Sequence, residues 1–403
     1  MSGRLSICFY TPSADPSGMG AHILDLVAEY LPRAEVSVML RPTDAGQRLL
    51  AAAAALGART VPLPSPRDPA FGPTIAGWLA ASRVDVFHVH VGLGWEDWDG
   101  ARVARAVGCP AVVQTLHQPY LVTHPRKRDR WHHAVADVDR LIAVSVAVRR
   151  TYERIGAAPD RLTTVPNGVG PRSGFLGRDR ARARLGLDGD RPVVLTTGRL
   201  APMKGQRYLL DAVPALAARF PDLAVVVLGE GALRGALTRQ AVDLGVAHRV
   251  RLPGHRSDAR LLLDAADVFV LPSLHEGMPL AVLEAMEAGL PVVATDVIGT
   301  AEVVAQEGTG LLVRPRDAPA LADAIGGLLV DPGARRRLGE AGRCRYRAQF
   351  TRARMAADTW AVYEQVLCAA AGHLPTPGRT RSGPRRQVLT AGSGAVGGYP
   401  RSE

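Results

Sequence analysis

The sequence predicts an α/β chain built from two doubly wound parallel sheets. Three observations carry this. Short apolar runs of five to seven residues alternate with longer segments whose apolar residues recur at helical spacing. The runs are apolar throughout, as parallel strands covered on both faces must be. The whole pattern then restarts near residue 190.

The first series of predicted strands is LSICFY (5–10), EVSVML (35–40), RTVPL (59–63), VDVFHVH (84–90), AVVQTLH (111–117), RLIAVS (140–145) and LTTVPN (162–167). Between them lie helical patterns such as GAHILDLVAEYL and GARVARAVG. A stretch rich in Gly, Pro and Arg (166–180) reads as a hinge. The second series is PVVLTTG (192–198), LAVVVLG (223–229), RVRLPG (249–254), VFVLPS (268–273), PVVATD (291–296) and GLLVR (310–314). Two helices are expected over 317–347, and a last amphipathic helix over 352–367. The expected domains are 1–170, 171–350, a crossover helix at 351–370, and a basic tail at 371–403 too poor in apolar residues to fold alone. In sheets of this kind ligands sit at the carboxyl ends of the strands, so a cleft between the two units is the expected site.

Composition narrows the function classes. The chain of 403 residues is 47% hydrophobic and 22% charged, which is globular rather than disordered. Net charge is +11, and five arginines after residue 370 set against Glu403 supply +4 of it. Such a surface suits anionic partners, or reflects an arginine-rich composition with solvated faces. A nucleic-acid binder is not expected, because no helix-turn-helix, zinc or RNA-binding signature occurs and aromatics are 5% of residues. Cys8, Cys109, Cys344 and Cys368 form no CxxC pair and read as reduced, mostly buried thiols. The first residues enter an apolar strand without a signal-peptide core, and no run reaches spanning length. A cytoplasmic protein, able to sit on the inner membrane face, is therefore expected.

Two stretches carry chemistry. GRLAPMKG (198–205) joins a predicted strand to a predicted helix. Gly198 allows a tight exit, Arg199 and Lys204 place two cations on one loop, and Gly205 lets backbone approach closely. Arg can donate twice to phosphate oxygens, and Lys is a compact point charge. Lys204 is one of two lysines among 49 basic residues. Two solvated cations on a loop is the plain alternative. LPSLHEGMPLAVLEAMEAGLPVVATD (271–296) places Glu276 before a predicted helix that starts at Pro279 and ends at Gly289, with Glu284 inside it. A helix start attracts anions, and a carboxylate accepts hydrogen bonds from sugar hydroxyls. An N-terminal Glu and an ordinary helix-surface Glu is the alternative here.

Together, the Arg/Lys loop, Glu276 and Glu284 in an E-x7-E pattern, the flanks PxxxEGMPL and LEAMEAGLPVVATD, and the later Glu302 resemble the nucleotide-sugar site of the retaining glycosyltransferases of family 4 (group 1), which have the GT-B fold. The resemblance covers about 1–370 and is strongest over 190–315. It implies two Rossmann-like domains facing a cleft, with a C-terminal helix crossing back to the first. It implies transfer of a sugar from a UDP- or GDP-linked donor to a hydroxyl acceptor in bacterial glycan, glycolipid or natural-product synthesis. Arg199 and Lys204 would hold the diphosphate, and Glu284 the ribose. Glu276, with Gly277, Met278, Pro279 and Leu280, would address the sugar. Gly18 and Gly20, in PSGMGAHILDLV, would face the donor phosphates, and His117 would lie near the sugar and the acceptor.

The donor is a substrate, so no cofactor is implied. No metal is expected either: no Asp-x-Asp motif stands beside the site, and the pair His88 and His90 lacks an evident third ligand. Three positions depart from the family pattern. Ser17 stands for a usual Gly and alters the loop path. Gly170 stands for a usual Asp and loosens the hinge. Ile298–Gly299 stands for a Gly pair and reshapes the sugar pocket. The acceptor is left open, with 89–103 and the basic stretch 117–133 as candidate acceptor loops. The second of these carries Tyr120, Trp131 and two His, and could meet an anionic lipid or a phosphorylated acceptor, or be a solvated loop. A nucleotide-sugar epimerase and a catalytically silent nucleotide-sugar binder are the competing readings.

Overall fold

Each apolar run becomes a strand because helices cover both of its faces, and the two series of strands close into two separate parallel sheets. The computed structural model describes residues 4–92, 96 and 99–372. The first half runs β1 (Leu5–Tyr10), α1 (Ser17–Tyr30), β2 (Ala34–Leu40), α2 (Asp44–Leu56), β3 (Arg59–Pro62), α3 (Phe71–Ala81), β4 (Val86–Val91), α4 (Gly100–Ala106), β5 (Ala111–Leu116), α5 (Pro125–Ala134), β6 (Arg140–Ala143), α6 (Val146–Glu153) and β7 (Leu162–Thr164). The second runs α7 (Arg178–Arg184), β8 (Val193–Thr197), α8 (Gln206–Arg219), β9 (Ala224–Leu228), α9 (Arg234–Asp243), β10 (Val250–Gly254), α10 (Ala259–Leu262), β11 (Val268–Leu271), α11 (Leu280–Ala288), β12 (Val292–Thr295), β13 (Gly310–Val313), α12 (Ala318–Val330), α13 (Pro332–Gln349) and α14 (Arg352–Gly372).

The first sheet has the order β3-β2-β1-β4-β5-β6-β7 and the second β10-β9-β8-β11-β12-β13. Their strand pairs are parallel. Both orders reverse direction once, between β1 and β4 and between β8 and β11. Those two switch points are where crevices open beyond the carboxyl ends of the strands. The doubly wound fold expected from the sequence is therefore present twice.

The chain crosses between the two units at two adjacent places. Val169 donates to Phe350 O at 3.0 Å and accepts from Arg352 N at 3.0 Å. Gly168 fits there because a Cβ would lie 2.2 Å from Thr351 O. The Arg352 guanidinium lies beside Gly170 and reaches Asp25 at 3.5 Å and Glu29 at 2.7 Å, so ion pairs to α1 brace this crossing. Helix α14 then packs on α1: Tyr30 OH donates to Ala356 O at 2.7 Å, and Met355, Val362 and Tyr363 join the core of Ile7, Phe9 and Val86. That is the crossover helix the sequence implied, and it extends to Gly372. The tail expected from 371 onward otherwise lies outside the described residues, as do parts of the candidate loop 89–103.

Three local expectations need correction. The stretch 117–133 is not all loop: Pro125, which a first helical turn tolerates, opens α5, whose Trp131 is buried together with Tyr120. Its arginines stay exposed, so the charge faces out and the aromatics belong to the core. Helix α11 starts at Leu280, with Pro279 extended at the cap. Finally, Cys8 and Cys109 are buried, but Cys344 and Cys368 sit on outward faces of the last two helices. No helix among the described residues is long and apolar enough to cross a membrane.

Candidate active site

The carboxyl ends of β1, β4 and β5 face those of β8 and β11 across a cavity of about 800 Å³. A neighbouring lobe of about 990 Å³ shares the walls made by Asp15, Gly18, Arg199 and Glu284.

One wall comes from the second sheet. Gly198 leaves β8 at φ +148°, a conformation that favours glycine. The loop then makes a short turn over Pro202–Lys204 and enters α8 through Gly205, at φ +62°. A Cβ on Gly205 would lie 2.0 Å from Pro272 O, so the loop is pressed against the exit of β11. That pressure brings Lys204 to the second motif: its Nζ donates to Glu276 Oε1 at 2.7 Å. Ser273 Oγ donates to the same oxygen at 2.6 Å, and Glu276 is 2% exposed. Gln206 fixes the loop by donating to Arg199 O at 2.9 Å. Arg199 reaches across the cleft to Asp15 Oδ2 at 3.1 Å, while its Nε is buried with no hydrogen-bond partner among the described residues.

Glu284 sits in the second turn of α11, half-buried, 3.7 Å from Arg260. Burial pushes its carboxyl up to about 7, against the pull of Arg260 and with a further push from Asp25 and Glu287. Asp25, across the cleft, is itself pushed up to about 6 by burial.

The other wall comes from the first sheet. The loop after β1 turns at Ser17, which takes φ +36°, so the left-handed turn is kept without the family's glycine. Gly18 faces Leu280 across the cleft, whereas Gly20 packs on Leu49 and Pro16. His117 follows β5 and lines the cavity. Its Nε2 lies 3.0 Å from His90 Nδ1, and its ring meets His22 edge-on at 4.7 Å between centroids. Burial holds His117 and His90 well below the ordinary imidazole range, and pushes His22 down to about 4. These are neutral rings at physiological pH.

The two walls touch at Gly277. A Cβ there would lie 2.0 Å from His117 O, and Ser145 Oγ donates to Gly277 O at 2.9 Å. Gly299 packs on Gly277 in turn, with φ +82°, so the position that needs glycine has it and Ile298 stands one place before. Met278 O accepts from Asn167 Nδ2 at 2.9 Å. Glu302 holds the start of α6, accepting from Val146 N and Ala147 N at 2.9 and 2.6 Å.

The structure thus gathers Gly18, His117, Gly198, Arg199, Lys204, Glu276, Met278, Pro279, Leu280 and Glu284 around one cavity. Gly20 borders the neighbouring lobe, and Gly277 sits behind, where the walls meet. Sequence reasoning missed Asp15, His22, Asn167 and Arg260. It also missed Glu230, His255 and Arg256, which line that lobe beyond β9 and β10. Their one available signal was position: each of these last three follows a strand end.

Comparison with known proteins gives the family and the fold. The family model described as Glycosyltransferase Family 4 matches residues 16–172, and the one described as Glycosyl transferases group 1 matches 177–345. The lipopolysaccharide core biosynthesis glycosyltransferase LpsE of Rhizobium meliloti is 39% identical over 66% of this chain and 85% of that protein. A GDP-mannose-dependent phosphatidylinositol monomannoside mannosyltransferase of Mycolicibacterium smegmatis is 40% identical over 60% of this chain and 66% of its own length. The D-inositol 3-phosphate glycosyltransferase of Nocardia farcinica is 34% identical, and the match spans 58% of it. For these last two the chain spans less than two thirds of the relative. Among solved structures, Anabaena Alr3699/HepE in complex with UDP superposes with a TM-score of 0.76 at 21% identity, over 90% of this chain and all of that one. The sucrose-phosphate synthase of Thermosynechococcus elongatus gives 0.75 at 25%, over 91% and 100%.

Proposed function

The chain belongs to the group 1 glycosyltransferases of family 4, with the GT-B fold, and from that premise we propose that it moves a hexose from a nucleoside-diphosphate sugar to a hydroxyl acceptor with retention at the anomeric carbon. The observation that carries the reading is that Arg199, Lys204, Glu276 and Glu284 line one cavity opposite Gly18 and His117.

In this reading Arg199 and Lys204 receive the diphosphate. Arg199 exchanges Asp15 for a phosphate oxygen, and its buried Nε gains the acceptor it lacks. Lys204 stays beside Glu276 and turns part of its charge to the leaving group. As the bond from the anomeric carbon to the phosphate oxygen breaks, its electron pair goes to that oxygen, where the two cations stabilise it. The acceptor oxygen bonds to the same face of the anomeric carbon, and its proton passes to the departing phosphate oxygen. Glu276 and the backbone of 277–280 hold the sugar hydroxyls, Glu284 accepts from the ribose, and the lobe by Glu230 and Arg256 receives the base. His117, a neutral ring at the end of β5, offers the sugar a hydrogen bond without placing charge beside a carbon that turns positive. Closure of the walls about Gly277 limits hydrolysis of the donor.

Relatives are named for GDP-mannose and UDP-Gal donors, and for acceptors built on inositol, lipopolysaccharide core or a diphosphoundecaprenol sugar. That company supports a UDP- or GDP-linked hexose and a polyhydroxy acceptor in a bacterial glycan, glycolipid or natural-product pathway. The site of action would be the cytoplasm, where such donors are available, with contact to a membrane face when the acceptor is a lipid. Calorimetric titration of UDP, GDP, ADP and dTDP, with the wild type and with Lys204→Ala, tests the reading. Selective binding of one nucleotide, weakened by the substitution, is expected. Equal, weak binding of all four, unaffected by Lys204→Ala, would overturn it.

A further inference from the structure

The cluster beneath the sugar end of the cavity holds more imidazole than positioning one sugar requires. His22 comes from α1, His90 from β4 and His117 from the end of β5. One ligating nitrogen from each lies within 4.8 Å of the others. The pair His90 Nδ1 and His117 Nε2 is already 3.0 Å apart. Two zinc–nitrogen bonds of the usual 2.0–2.1 Å at a tetrahedral angle set their nitrogens about 3.3 Å apart. The third ring would need to close in by about 1–1.5 Å from the widest separation to complete that set.

The surroundings fix which nitrogen is bare. Asn167 Nδ2 donates to Met278 O at 2.9 Å, so Asn167 Oδ1 is the atom that faces His22 Nδ1, at 3.0 Å. His22 Nδ1 therefore carries the proton, and its Nε2 keeps a lone pair. This is the outer-shell contact that orients a metal-binding histidine. His90 is fully buried, and its Nε2 has no hydrogen-bond partner among the described residues. His90 and His117 face each other as neutral rings that share one proton. Freeing both lone pairs needs only that proton's transfer to the outer nitrogen of the ring that holds it, with no change in net charge. His117 lines the cavity, which gives the way in.

We propose that His22, His90 and His117 bind one divalent transition-metal ion of the zinc type, its remaining position turned to the cleft, and that the bound ion inhibits transfer. Three neutral imidazoles suit zinc and its neighbours rather than magnesium or calcium, which prefer oxygen. The inhibition, which rests on the transferase reading, follows from charge: a dication on His117 opposes the positive charge that builds on the anomeric carbon. The binding does not rest on that reading.

The test is a titration of the full chain with zinc chloride at neutral pH, followed by calorimetry, and with cobalt followed by its visible ligand-field bands. One ion per chain is expected, with the intense bands of a tetrahedral cobalt site. His22→Ala should weaken binding by more than tenfold, and Asn167→Ala, which frees the His22 ring without removing a ligand, by about 10- to 100-fold. The double variant His132→Ala/His133→Ala, which removes exposed rings on α5, should bind as the wild type does. His22→Gln runs beside His22→Ala, with circular dichroism on each, so that a misfolded variant is replaced by a folded one. Unchanged zinc affinity in a folded His22 variant, or loss of binding only in the α5 double variant, would overturn the site. Turnover restored by a chelator after zinc addition is expected in the wild type. Zinc bound at the cluster with turnover unaffected would overturn the inhibition alone.

Discussion

The two walls of the cleft are made of opposite materials. The wall from the second sheet is charged: Arg199, Lys204, Glu276, Glu284 and Arg260 stand at two strand ends and on two helices, α10 and α11. The wall from the first sheet carries Asp15 at its rim but is neutral at the end of β5: His22, His90 and His117 are buried rings held below their ordinary pKa, with Asn167 behind them. The difference teaches how a transferase of this kind divides its work. In the proposed reaction a leaving diphosphate gains charge, and the wall proposed to meet it carries cations whose carboxylate partners are already in place. A sugar carbon becomes positive as its bond breaks, so the wall beside it is best left uncharged. Both walls are costly to build, one by pairing charges and the other by desolvating rings.

The comparison breaks most readily at the charged wall. Lys204→Ala removes the cation proposed to meet the leaving group and leaves Glu276 buried with Ser273 on that oxygen. Loss of one such electrostatic contact should lower kcat by about 10²–10³-fold. Steady-state kinetics with a melting curve check it. A kcat near the wild-type value would mean that the charged wall is scaffold only.

The contact between the walls comes next. Gly277→Ala would drive a Cβ to 2.0 Å from His117 O, where backbone faces backbone and nothing flexible can yield. The two walls must part by about 1 Å or more to reach an ordinary contact, and misplacement of about 1 Å costs about 10²-fold in rate. The loss should appear in kcat, with nucleotide affinity nearly kept, because most of the proposed nucleotide contacts, Gly18 and Gly20 apart, lie on one wall. Equal losses in both would show that nucleotide binding also depends on closure.

The charged wall, Arg260 apart, was legible in the sequence, whereas of the neutral one only His117 was, for a physical reason. Residues 198–205 and 272–289 are contiguous, so loop and helix geometry alone place Arg199 near Lys204 and Glu276 near Glu284. The thirteen predicted strands likewise form within one to three residues, because burial on both faces leaves a continuous apolar signal. The histidines are 68 and 27 residues apart in sequence, so only the order β3-β2-β1-β4-β5 makes them neighbours. From sequence, His22 belongs to an ordinary amphipathic helix, and the pair His88 and His90 has no evident third ligand. In the fold His88 turns to Tyr363 and Thr115, while His22 and His117 close on His90. Asp15 was invisible for the same reason, since its partner Arg199 is 184 residues away.

Glu284 gives a pH test of the same division. Its folded pKa of about 7 lies above the ordinary 4.5. The folded chain therefore keeps a proton that the unfolded chain releases, and stability declines as pH rises from about 4.5 to about 7. Ribose hydroxyls prefer the ionised form, so nucleotide affinity should rise as pH passes upward through about 7. Glu284→Gln should flatten both slopes and weaken nucleotide binding at alkaline pH by about tenfold or more, the cost of losing hydrogen bonds to a charged group. Calorimetry and melting curves across that range check both. Slopes that persist in Glu284→Gln would move the titration to the nucleotide itself or to Asp25.

The smallest expected effect concerns the charged pair Asp15–Arg199, which spans the walls. Asp15 and Arg199 meet at 3.1 Å, with side chains 48% and 37% exposed. An exposed pair of this kind holds only about 0.2–1 kcal/mol. If the donor diphosphate takes Arg199 from Asp15, that small energy is spent on every binding event. Asp15→Asn should then tighten nucleotide binding by up to about fivefold, more at low salt than at high salt, because Arg199 no longer has to leave a carboxylate. Donor hydrolysis without acceptor should rise with it, since the empty cleft loses a tie between its walls. Weaker binding in Asp15→Asn would reverse the assignment. Asp15 would then be a hinge strut that preforms the charged wall, and the division between a charged and a neutral side of the cleft would be blurred where the two meet.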